Sequence, residues 1–158
     1  FIFKLRTIYI QTNYKVQKLD PHTLFSIFEQ GDEEIYKENN IEDVLRNPYV
    51  LIGMVVTGIE NFYFMDKMYS LKHPKQYGRV RDNIKNKYYN RLYGYLARLS
   101  PVEFDVIYKI GLDYELDKSL KSINDLLFYF EDIEEYEKCA HIKQFSDLLI
   151  DRKLETLI

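Results

Sequence analysis

The sequence predicts a mainly α-helical single domain of about five to six helices, preceded by an N-terminal extended or β-like arm. Three observations carry this. Apolar residues step by three and four through much of residues 74–149, the period of an amphipathic helix. All four prolines, at positions 21, 48, 74 and 101, fall where a helical pattern begins. The 158 residues are 46% apolar and 30% charged, the balance of a globular chain long enough to bury a core.

Residues 1–19 are rich in β-branched and aromatic types, and Thr7-Ile8-Tyr9-Ile10-Gln11-Thr12 suits a strand or short hairpin. This is the arm, and residues 20–158 form the helical domain. Asp20-Pro21 is a helix start, because Asp accepts from free backbone N–H groups and proline is tolerated in the first turn. That helix carries Leu24, Phe25, Ile27 and Phe28 and ends at Gly31; an acidic loop follows to Asn40. A short helix over 41–46 stops before Pro48.

Pro48 opens a longer helix to about Ser70, ended by His73-Pro74. It contains the most apolar run, Tyr49 to Ile59, which falls well short of the roughly 20 residues that span a bilayer. We read it as a buried helix, with Gly53 and Gly58 allowing close packing. From Pro74 to Leu99, Tyr77, Val80, Ile84, Tyr88, Leu92 and Tyr95 form one stripe. Ser100-Pro101-Val102-Glu103 is a capping box, and the helix it opens fails near Gly111. Leu116, Leu120, Ile123, Leu127 and Phe130 make an a/d seam, and Tyr136, Cys139, Ile142, Phe145 and Leu149 the facing stripe of a last helix. The turn falls near Glu131-Asp132, so residues 113–157 form a helical hairpin.

The net charge is −3, which excludes a generic polyanion binder, but the charge is segregated. Residues 67–98 hold nine basic side chains against Asp82 alone, a local +8. Residues 29–43 sum to −6 and residues 103–137 to −8. Two readings of this asymmetry stay open. In one, Lys75, Arg79, Arg81, Lys85, Lys87 and Arg91 contact phosphates while Tyr77, Tyr89 and Tyr93 offer stacking faces to unpaired bases. In the other, the basic helix faces acidic helices of its own bundle or of another protein subunit, and the tyrosines are core.

Catalytic chemistry finds few supports. The phosphate-cradling glycine patterns, H-E-x-x-H and G-x-S-x-G are missing. His22, His73 and His141 stand apart. Glu137 and His141 share a helix face and begin a metal site on paper, yet this spacing is more often a surface pair. Cys139 and His141, two apart on a helix, point to different sides and cannot form a nucleophile–base pair. The acids Glu131, Asp132, Glu134, Glu135 and Glu137 read as a solvated face. We therefore expect no enzyme, no cofactor and no metal.

With one cysteine there is no internal disulfide, and no signal peptide opens the chain, so the expected setting is cytoplasmic and away from membranes. The chain begins at Phe1, and we expect a trimmed N-terminus. Tyr136-Glu137-Lys138-Cys139-Ala140-His141-Ile142-Lys143-Gln144 resembles the first part of the UVR-type helical hairpin motif, with Cys139 replacing a small residue and Gln144 standing where that motif prefers Asp. The resemblance implies an antiparallel helix pair used for protein contact. Fifteen Tyr and ten Phe beside no Trp give a composition similar to that of tailed-bacteriophage proteins. The expected function is a non-enzymatic assembly or adaptor protein, phage- or virus-encoded and acting in the host cytoplasm or virion, with other protein subunits as partners. The alternative is a nucleic-acid-binding or regulatory protein using helix 74–98.

Overall fold

Helix punctuation does most of the local work. In the computed structural model, which describes residues 46–109 and 116–157, five α-helices follow one another: α1 Pro48–Lys72, α2 Pro74–Leu96, α3 Pro101–Lys109, α4 Leu116–Asp132 and α5 Tyr136–Glu155. The expected arm, the helix from Asp20, all but the last residue of the 41–46 helix, and Gly111 lie outside the described residues.

Each start has a physical cause. Asn47 caps α1, its Oδ1 accepting from the Tyr49 N–H at 3.0 Å, with Pro48 in the first turn. The single residue His73 separates α1 from α2, because Pro74 cannot continue α1 but is suited to open α2. At α3 the capping box is complete: Glu103 N–H donates to Ser100 Oγ at 3.1 Å and Ser100 N–H to Glu103 Oε2 at 3.0 Å. The α4–α5 turn is a Schellman motif, in which Glu135 N–H donates to Phe130 O and Glu134 N–H to Glu131 O. It places Glu134 at φ 61°, a conformation that favours glycine.

The helices pair as two antiparallel hairpins, α1–α2 and α4–α5, and α4 also packs on α1. Helix α1 sits in the middle. Leu51, Ile52, Val55, Val56, Ile59 and Phe62 are buried to 2% exposure or less. By length and composition α1 is apolar enough to cross a membrane; in this fold the expected burial of its apolar run holds. Gly58 explains how α2 comes so close, since a Cβ there would lie 2.5 Å from Leu92 Cδ2, and the Tyr88 hydroxyl donates to the Gly58 carbonyl at 3.1 Å.

Aromatic rings connect all five helices. Contacts run from Phe62 on α1 to Tyr89 on α2, then Tyr129 and Phe130 on α4, Tyr93 on α2, His141 and Phe145 on α5, and Phe104 on α3, with neighbouring centroids 4.3–5.8 Å apart. Such rings bury large areas and favour edge-to-face pairing, so tyrosine and phenylalanine supply here the bulk that tryptophan would otherwise bring.

Two stripes differ from the sequence expectation. On α4, Ser119, Ser122 and Leu126 are buried with Ile123 and Phe130, while Leu116, Leu120 and Leu127 are only partly buried. The expected two-stranded seam misses this because α4 is covered on two sides: Ser122 Oγ donates to the Val56 carbonyl of α1, and Asn124 Oδ1 accepts from Ser146 of α5. On α5, Cys139, Ile142, Phe145 and Leu149 are buried as expected, but Tyr136 is 66% exposed at the first turn, beyond the reach of α4.

Candidate functional site

The basic segment 67–98 occupies the last turn and a half of α1, all of α2 and the residues just after it. Helix α2 faces α1 through Tyr77, Ile84, Tyr88 and Leu92, and α1 answers through Gly58, Phe62, Asp66 and Tyr69. This arrangement divides the nine basic residues into groups with different surroundings.

Lys75 and Arg79, one helical turn apart, are exposed on the side of α2 away from α1. On the outer face of α1, Phe64, Lys67 and Leu71 follow at helical spacing, with Phe64 70% and Leu71 73% exposed. Among the described residues Lys67, Lys75 and Arg79 form no ion pair. Two cations thus lie on the back of α2, and one cation with two large apolar side chains lies on the back of α1, with Lys72 also exposed where the hairpin turns.

Arg81 is engaged within the fold. Its Nε and Nη2 donate to the two carboxylate oxygens of Asp66 at 2.6 and 2.7 Å, and the Tyr77 hydroxyl donates to Asp66 Oδ1 at 2.9 Å. The Arg81 hydrogen bonds hold the Asp66 carboxyl below its ordinary range, despite opposing desolvation. The Lys85 ammonium stands 5.5 and 5.2 Å from the Tyr89 and Tyr129 ring centroids. Lys87 is exposed, Arg91 is half-buried, and both are engaged in further interactions.

The tyrosines correct the stacking expectation. Tyr77 and Tyr89 are each 2% exposed, so neither ring face is open to a base. Burial raises both phenols above their ordinary range. Tyr93 is half-buried between Phe130 and His141, with the Lys138 ammonium 5.6 Å from its ring centroid. Their helical spacing is the spacing of a packed stripe.

The acidic partner surface is equally specific. Glu131, Asp132, Glu134, Glu135 and Glu137 are exposed around the α4–α5 turn, and among the described residues only Glu135 of the five has an ion-pair partner, Lys138 at 3.7 Å. Exposed Phe128, Ile133 and Tyr136 lie among them. Inter-helix pairs elsewhere tie α4 to α1 through Lys118–Glu60 at 2.8 Å, α5 to α4 through Lys153–Asp117 at 2.6 Å, and α5 to α3 through Arg152–Asp105 at 2.7 Å. None of these draws on the basic segment.

A second feature went unnoticed in the sequence. A small surface cleft of ≈ 30 Å³ between α1 and α4 is lined by Ile59, Glu60, Tyr63, Lys118, Lys121, Ser122 and Asp125. Tyr89 donates to the Tyr63 hydroxyl and Tyr63 to Asp125, whose carboxyl is raised above its ordinary range by desolvation. This line of hydrogen bonds joins α2, α1 and α4. No motif spacing betrays it, because the three residues come from three helices.

Among the described residues no three His, Cys, Asp or Glu side chains converge to hold a metal ion. His141 sits edge-on between Tyr93 and Phe145, and Glu137 is exposed. Cys139 is buried, and desolvation pushes its thiol up, away from the reactive thiolate. Comparison with known proteins finds no matching family model, no similar curated protein and no similar solved structure, so the likeness of Tyr136–Gln144 to the UVR-type hairpin rests on those residues alone.

Proposed function

We propose that the protein is a non-enzymatic assembly or adaptor subunit, of the kind a phage or virus genome encodes, acting through packed helices and complementary surface charge. The observation that carries this reading is the end of the α1–α2 hairpin. Among the described residues Lys67, Lys75 and Arg79 have no ion-pair partner there, while Phe64 and Leu71 are exposed at 70% and 73%. Apolar anchors ringed by charge are the anatomy of a protein-binding surface, with the anchors supplying affinity and the charges orientation and partner choice.

Nucleic-acid binding by helix 74–98 is the second reading, and it is the weaker one. Two of its three stacking residues, Tyr77 and Tyr89, are in the core, and Arg81 is committed to Asp66. Phosphate contacts from the exposed Lys75, Arg79 and Lys87 would be sequence-independent and few. A salt titration with single- and double-stranded nucleic acid separates the two. The assembly reading expects no tight complex; tight binding whose affinity falls with about one log–log slope unit per phosphate contact would replace it.

A further inference from the structure

We propose that the two exposed charge clusters of this chain are the two halves of one self-association surface: the basic end of the α1–α2 hairpin seats on the acidic α4–α5 turn of a second copy. The inference rests on the assembly reading and names the partner. Each cluster combines charge of one sign with exposed apolar side chains. At the hairpin end Lys67, Lys75 and Arg79 are exposed on the same hairpin as Leu71; at the turn Glu131, Asp132, Glu134 and Glu137 are exposed beside Ile133 and Tyr136. Among the described residues none of these seven charged groups has an ion-pair partner within its own chain.

Inside one molecule the two clusters form no ion pair with each other. The end of α4 and the start of α5 lie against residues 85–90 of α2, where Lys85 stands 5.2 Å from the Tyr129 ring centroid and Lys138 donates to Asn90 Oδ1 at 2.7 Å. Lys75 and Arg79 lie 10 and 6 residues before Lys85, about 15 and 9 Å along the helix axis. The opposite charge of the two clusters is satisfied between copies. Because the two halves are different surfaces, the contact is heterologous: it closes into a ring or extends as a chain, and it does not stop at a two-fold dimer.

The test is sedimentation of the full chain, as wild type, as K75E/R79E and as E131K/E134K. The substituted side chains are exposed, and circular dichroism verifies that each variant keeps its helices. The wild type is expected to at least double its mass with concentration at about 0.01 M salt and to revert to monomer at about 1 M, where the screening length falls from about 30 to about 3 Å. K75E/R79E reverses the basic cluster and E131K/E134K cancels the acidic one, so each variant is expected to stay monomeric, and an equimolar mixture of the two, which pairs the intact basic end of one with the intact acidic turn of the other, to assemble again. A wild type that assembles regardless of salt, or variants that assemble alone, would overturn the docking while leaving an assembly protein. A mixture that stays monomeric would do the same. A monomer at every salt concentration that binds nucleic acid would overturn both.

Discussion

Asp66 shows how a single residue decides what a charged segment can do. It lies one position outside the basic segment, yet it accepts from both Arg81 and the buried Tyr77 hydroxyl. Its carboxyl is held below the ordinary range, chiefly by Arg81. A carboxyl depressed in the folded state contributes stability above its unfolded pKa of about 3.9, and that contribution disappears as pH falls through the depressed folded value. Asp66→Asn is therefore expected to lose about 1 kcal/mol at neutral pH, with the gap to wild type closing well below pH 4; urea unfolding across pH measures both. Glu134 is the opposite case. At φ 61° it occupies a position built for glycine, so Glu134→Gly is expected to raise stability by about 0.5–1 kcal/mol, read as a higher melting temperature.

The helices from Pro48 onward were largely legible, and the reasons are local. Proline at 48, 74 and 101 and the capping box at Ser100 act through adjacent backbone groups, and the structure keeps each boundary within about three residues of the expected one. Which residues meet was legible only in part. Across the break at His73-Pro74, Tyr69 pairs with Tyr77, Asp66 with Arg81 and Gly58 with Tyr88, all nearly equidistant from the break. That mirror relation follows from a one-residue connection and would have exposed the Asp66–Arg81 pair. The buried serines of α4 followed no such rule, because α1 covers them from 66 residues away in sequence. The same close approach makes Gly58 a sensitive position. Gly58→Val puts a branched side chain against Leu92 and is expected to cost about 2 kcal/mol or more in chemical denaturation.

For the whole molecule, a stripe of tyrosines at helical spacing serves equally as a core face and as a row of stacking platforms, and only packing separates the two. Here the core takes Tyr77, against Tyr69, and Tyr89 and Tyr129, against Phe62 and Phe130, and leaves Phe64, Phe128 and Tyr136 outside. Charge divides in the same way. Counting by segment found the basic and acidic blocks, but not that Arg81 is neutralised from within while Lys75 and Arg79 face outward. Function on this account resides in what the core does not use.

The most direct measurement of that claim is light scattering of the purified chain over a range of protein concentrations at low salt. The account predicts a mass that rises above the 19.1 kDa of one chain as concentration increases. A constant 19.1 kDa at every concentration would contradict it.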